Sequence, residues 1–288
     1  MKSSRHAPRE SRDLRIRRNS LCIVLLLSFS TLGVYAQTSW NTTTGSFDTA
    51  GNWTSGVPNS TTSALITNGT SLNPSVVDLG PNSSDSVLDL TLDQFDALNV
   101  ENNSQLNIYG ASISNAGTIT LAPAANNSTL QFYANTTLSG GGSVVISGNS
   151  VVNESGSQTL TNADNTIEGS GQVGSNGLKV TNESAGTITA NVGGTTLSLN
   201  GGGLVTNSGM LEAQNGGNLS VTNSVANAGG TILSTGAGST VEFSGTTITG
   251  GTLNTASGGV LGTGAGTSVT LDGSTVAGAL TNAGTYLT

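Results

Sequence analysis

Positive charge, cysteine and histidine are scarce in this chain of 288 residues, which has eight Lys and Arg, one His and one Cys. Seven of the eight bases, together with His6, lie before Cys22, the lone cysteine. Beyond residue 36 the only base is Lys179, set against 14 acids, for a net charge of −13. No disulfide can form there, so stability has to come from packing. Phosphate binding needs clustered Lys and Arg, so neither nucleic acid nor an anionic membrane surface is an expected partner. His/Cys zinc sites, nucleophile–base triads and Arg clamps lack their residues. No cofactor or metal site is expected.

Long apolar runs are also missing, with one exception. Leu21–Val34 is a single apolar run, shorter than the roughly 20 residues needed to span a bilayer. It follows the basic leader and precedes Val34-Tyr35-Ala36, a small-residue processing site. Residues 1–36 therefore read as a signal peptide cleaved near Ala36, and the protein as secreted or at the cell surface. No stable membrane insertion is expected in the mature chain.

What the sequence does hold is repetition. SAGTITA at Ser184–Ala190 returns as NSGMLEA at Asn207–Ala213, with TTLSLN between them. NAGTITL (Asn115–Leu121), NAGGTILS (Asn227–Ser234) and NAGTYLT (Asn282–Thr288) echo the same words. Ser86–Gly110 alternates apolar and polar residues in short runs bounded by Asn, Gly and Ser, the mark of half-buried strands. Disorder is disfavoured, because only 8% of residues are charged and the aliphatic residues come in ordered runs. Ile119, Val145, Ile167, Ile188, Leu211, Ile232 and Leu253, taken as one strand per coil, recur at a near-constant step that is stretched only between the first two.

Such a period predicts an all-β fold, a right-handed parallel β-helix of about 21–23 residues per coil. Ten or eleven coils would make a rod of about 50 Å, at ~4.8 Å per stacked strand. Gly and Asn suit the turns. Asn115, Asn182, Asn207, Asn227 and Asn282 are candidates for an amide ladder. Residues 81–288 are expected to form the solenoid. Because NAGTYLT opens a coil, the chain reads as truncated at its C-terminus, with an anchor or translocator missing.

Residues 37–80 differ from the rest. They carry Trp40, Phe47-Asp48, Asn52-Trp53, Gly56-Val57-Pro58-Asn59 and Ala64-Leu65-Ile66. This pattern resembles the start of bacterial surface proteins of the autotransporter-associated β-strand repeat type, or filamentous adhesin passengers. Ser63 stands where that family has an Asp, so no role for that carboxylate carries over. The resemblance implies a solenoid passenger on the bacterial outer surface. Physically, Trp40 and Trp53 are suited to cap the open end of the first coil.

Carboxylates are the one catalytic resource. Glycoside hydrolysis needs two acids about 5–10 Å apart, and Asp164 and Glu183 could meet on successive coils, with Lys179 as a candidate base. Glu168, Glu212 and Glu242 lack a partner at a coil spacing. Asp78, Asp85, Asp89, Asp93, Asp96 and Glu101 are dense enough to invite calcium, yet read better as a solvated strand face. The expected function is therefore non-enzymatic: a structural or adhesin-like passenger touching carbohydrate or cell-surface ligands. The competing reading is a polysaccharide-active lyase or glycoside hydrolase.

Overall fold

The computed structural model describes residues 35–288 apart from Asn176 and residues 275–278; the signal peptide expected over residues 1–36 lies almost wholly outside them. The described chain is a parallel β-solenoid of about 11 coils, with a single short 3-10 turn at Ala50–Asn52. The first sheet has 11 strands, from Ala36–Ser39 to Val269–Asp272, and the second has 11, from Thr44–Ser46 to Leu280–Asn282. The third has 10, from Ser84–Val87 to Tyr286–Leu287.

The sequence echoes become neighbours in the second sheet. Thr187–Ala190 pairs residue for residue with Met210–Ala213, and the latter with Thr231–Ser234. Most strands are only three to five residues long with buried and outward positions alternating, because each face of the coil is narrow and turns follow at once. The inward file Ile119, Val144, Ile167, Ile188, Leu211, Ile232 and Leu253 is at most 1% exposed.

That file corrects one expectation. Val144, not Val145, stands opposite Ile119 and Ile167. The coil from Ile119 to Val144 is the longest in the file; the shortest step is shared by Ile167 to Ile188, Leu211 to Ile232 and Ile232 to Leu253, with slightly longer steps from Val144 to Ile167 and from Ile188 to Leu211. In a strand a one-residue slip turns the side chain to the opposite face.

The amide ladder exists but with a different membership. Asn162 donates to Asn182 (2.9 Å), Asn182 to Asn207 (2.9 Å) and Asn207 to Asn227 (2.7 Å). All four are fully buried where first-sheet strands end. Asn115 also ends a first-sheet strand two coils earlier, but the register runs from Ile113 through Leu138 to Asn162, so Asn115 and Asn162 do not share a file. Asn165 reaches back instead, accepting from the Asn115 amide at 2.9 Å. Asn282 is not a rung: it is exposed, and Leu280–Asn282 pairs with Gly251–Leu253 of the second sheet. The same three-letter word falls on a different face because the coil from Gly251 to Leu280 is longer than the one before it, from Thr231 to Thr252. Just past Asn227 the ladder meets Gly251, whose φ is 72°. A Cβ there would lie 2.0 Å from the Asn227 carbonyl oxygen, so only glycine fits.

At the N-terminal end Trp40, Phe47 and Trp53 are 2%, 0% and 3% exposed. Trp53 meets both others edge-on with ring centroids 5.1 Å apart, and its Nε1 donates to the Phe47 carbonyl at 2.7 Å. This aromatic cluster packs into the core of the first coils. Edge-to-face rings with a satisfied indole are suited to cover an otherwise open apolar end.

Candidate lateral binding face

Three consecutive third-sheet strands, Gln105–Ile108, Thr129–Phe132 and Val151–Glu154, pair in register. Leu106, Ile108, Leu130, Phe132 and Val152 point inward and are sealed in the core. Alternation therefore turns Gln105, Asn107 and Tyr109 outward on one coil, and Thr129, Gln131 and Tyr133 on the next. Their strand ends read QLNIY and TLQFY, the same apolar–amide–apolar–Tyr order on successive coils.

The two tyrosines stack face to face, with ring centroids 4.4 Å apart and planes within 6°. Each is 38% exposed. Burial first, then the neighbouring Tyr109 hydroxyl, raises the Tyr133 phenol above its ordinary value. Beside them runs a row of amides. Gln105 Nε2 donates to Asn107 Oδ1 at 2.6 Å, Asn107 Nδ2 to the Asp85 carbonyl at 2.8 Å, and Asn153 Nδ2 to Gln131 Oε1 at 3.2 Å. On the next coil the position facing Tyr133 is the small, exposed Ser155, followed by exposed Gly156 and Ser157. The Tyr133 ring thus stands over a low step. Further along the same sheet lies an open groove of about 290 Å³ lined by Asn127, Asn149, Ser150, Gln172, Thr196 and Ser198. The face is uncharged, with polar side chains and two aromatic rings.

The expected catalytic pair does not gather in the same way. Asn162 faces Asn182, so Glu183 lies beside Ala163, and Asp164 is one position out of register. Asp164 Oδ1 accepts from the Gly141 backbone amide at 3.0 Å and from Asn165 Nδ2 at 3.1 Å. No hydrogen bond joins Asp164 to Glu183 among the described residues. Lys179 is exposed at the start of its strand, opposite Thr159. Glu168 and Glu212 occupy the same outward file, separated by Thr189. Glu168 accepts from Asn191 at 2.7 Å, whereas partial burial raises the Glu212 carboxyl.

The acidic stretch divides: Asp93 is exposed, whereas three carboxylates serve the neighbouring coils, Asp78 accepting from Asn99 (2.8 Å), Asp89 from the Ser112 amide (2.9 Å) and Asp96 from the Gly69 amide (2.9 Å). Asp96 is only 2% exposed, and burial raises its carboxyl. Among the described residues, no group of three or more His, Cys, Asp or Glu is placed to hold a metal. Sequence reasoning missed the pairing of Asp85 with Asp48, which comes from the irregular first coil. Burial first, then the Asp48 hydrogen bond and charge, pushes the Asp85 carboxyl up to about 7. It also missed Glu154, which points inward at 1% exposure and accepts from the Gly156 amide. Tyr109 and Tyr133 were missed although their repeated context was in plain view.

No family model, curated protein or solved structure matches the chain significantly. Among the described residues, no helix is long and apolar enough to cross a membrane.

Proposed function

We propose that this chain is a non-enzymatic, exported β-solenoid of the bacterial surface, adhesin-like in role, whose third-sheet face touches carbohydrate. The stacked Tyr109 and Tyr133 beside buried amides support this reading most. Sugars present apolar C–H faces bordered by hydroxyls, and an aromatic wall next to amides and serine hydroxyls complements both. The excess of acid repels acidic glycans, which directs the reading to neutral ones. Export rests on the basic and apolar leader of residues 1–36, and the adhesin class on the Trp-containing pattern of residues 37–80.

The test is binding of the purified chain to a glycan array and to intact bacterial and host cells. Retention on neutral glycans that is lost in Tyr133→Ala is the expected result. A chain inert on every surface would leave only a spacer role. Turnover of any glycan, lost in Asp164→Asn or Glu183→Gln, would replace the reading with an enzymatic one.

A further inference from the structure

We propose that Tyr109 and Tyr133 form an oxidative cross-linking site, at which a peroxidase-class oxidant joins the two rings and staples one coil to the next. The proposal rests on placement. The residues take the same position on successive coils: the Tyr109 amide donates to the Val87 carbonyl and the Tyr133 amide to the Ile108 carbonyl. Equivalent backbone positions give the side chains the same direction, and the rings lie parallel with centroids 4.4 Å apart. The ring carbons ortho to the two hydroxyls are therefore held close to one another on these near-parallel rings. Carbon–carbon coupling needs that approach, and in free solution two tyrosyl radicals find it only by collision.

Access and competition favour the same pair. Both tyrosines are 38% exposed, so an oxidant reaches them. The two tryptophans, which would otherwise drain a radical, are 2% and 3% exposed. Only four tyrosines are present. Of the other two, Tyr286 stacks on Phe243 with its hydroxyl 2.9 Å from the Thr263 hydroxyl, and Tyr35 has no aromatic partner within the described residues. Cys22 is the only cysteine and lies in the leader.

The chemistry balances with one molecule of hydrogen peroxide. Each phenol gives up one electron and its hydroxyl proton to the peroxidase. The two phenoxyl radicals pair their electrons in a new bond between ortho carbons, and the two hydrogens displaced from those carbons move to the phenolic oxygens as the rings regain aromaticity. The peroxide accepts two electrons and two protons and leaves as two waters. The product closes a loop between Tyr109 and Tyr133, which restricts the unfolded chain as a disulfide of that span would. A solenoid without cysteine beyond its leader would gain a covalent staple from it.

The test treats the purified full chain with a haem peroxidase and hydrogen peroxide. The expected result is a monomer lighter by two hydrogens, with blue dityrosine fluorescence and a cross-link between Tyr109 and Tyr133 mapped by tandem mass spectrometry after thermolysin digestion. Tyr109→Phe and Tyr133→Phe keep the ring stack and should each abolish the cross-link, with circular dichroism unchanged, whereas Tyr286→Phe should leave it intact. Three results would overturn the proposal: cross-links only between chains, coupling that persists in Tyr109→Phe, or an equal intramolecular yield from the urea-unfolded chain.

Discussion

Asn182 hands its side-chain amide to Asn207 Oδ1, one coil further on, at 2.9 Å, while its own Oδ1 accepts from Asn162 at 2.9 Å. Both bonds run along the solenoid axis in a part of the coil that water does not reach. A buried amide left without its partner costs roughly 1–3 kcal/mol. Asn182→Ala leaves the Asn207 acceptor without its donor and removes one acceptor of the Asn162 amide, which keeps the Asn165 carbonyl, so a loss of about 1–3 kcal/mol is expected. Asn282→Ala, at an exposed position of the second sheet, should stay within ~0.5 kcal/mol. Urea denaturation of the two variants measures the contrast; equal losses would mean that the ladder contributes nothing.

Val144 and Val145 offer a similar contrast at adjacent positions. Val144→Ala empties a site in the inward file and should cost about 2 kcal/mol. Val145→Ala, on the outward side, should change stability by ~0.5 kcal/mol or less. Thermal melts of the two variants separate them, and a larger loss at Val145 would contradict the register.

The same pair marks where sequence reading stops. Period and turn chemistry were legible because Gly and Asn recur where the coil bends and β-branched residues recur where it stacks. The equal steps from Ile167 to Ile188 and from Leu211 to Ile232 are visible to the eye. The phase of Val144 was not, because Val-Val offers two apolar candidates and only the longer coil, with its Ala122–Asn127 insertion, decides between them. Asn282 failed for a related reason: a local motif does not carry the face on which it lands. The lateral site was legible in principle, through QLNIY and TLQFY. Its stacking depends on register, which composition does not encode. The Asp48–Asp85 contact joins distant segments around an irregular first coil, and no spacing rule reaches it.

That contact makes stability depend on pH. Burial and the Asp48 carboxyl raise Asp85 from 3.8 to about 7. A carboxyl whose folded value exceeds its unfolded one favours the fold while protonated. Its contribution is therefore complete below about pH 4, declines as pH rises towards 7, and is gone above that. Burial raises Asp96 and Glu212 in the same direction. Asp85→Asn keeps a neutral side chain at every pH, so it should melt higher than the native chain at pH 8 and match it near pH 4. Melting curves across that range decide the matter; a gap between the two proteins that does not vary with pH would exclude Asp85 as the cause.

Trp53 tests whether the aromatic cluster is a cap or merely an apolar contact. It bridges Trp40 and Phe47 and is 3% exposed. Truncating a buried aromatic costs about 3–5 kcal/mol. In a solenoid each coil touches only its neighbours, so the damage should remain local. Trp53→Ala should strip hydrogen-exchange protection from Thr62–Ile66 and Ser75–Leu79 while leaving Thr231–Thr235 and Thr240–Phe243 as slow as before. The exposed end would then present the interior edge of the first coils, where Ala64, Ile66 and Val77 are fully buried, and dye binding to apolar surface should rise. Uniform loss of protection along the whole chain would mean instead that the coils unfold as one unit. Undiminished protection in the first coils would mean that Trp40 and Phe47 close the end without Trp53.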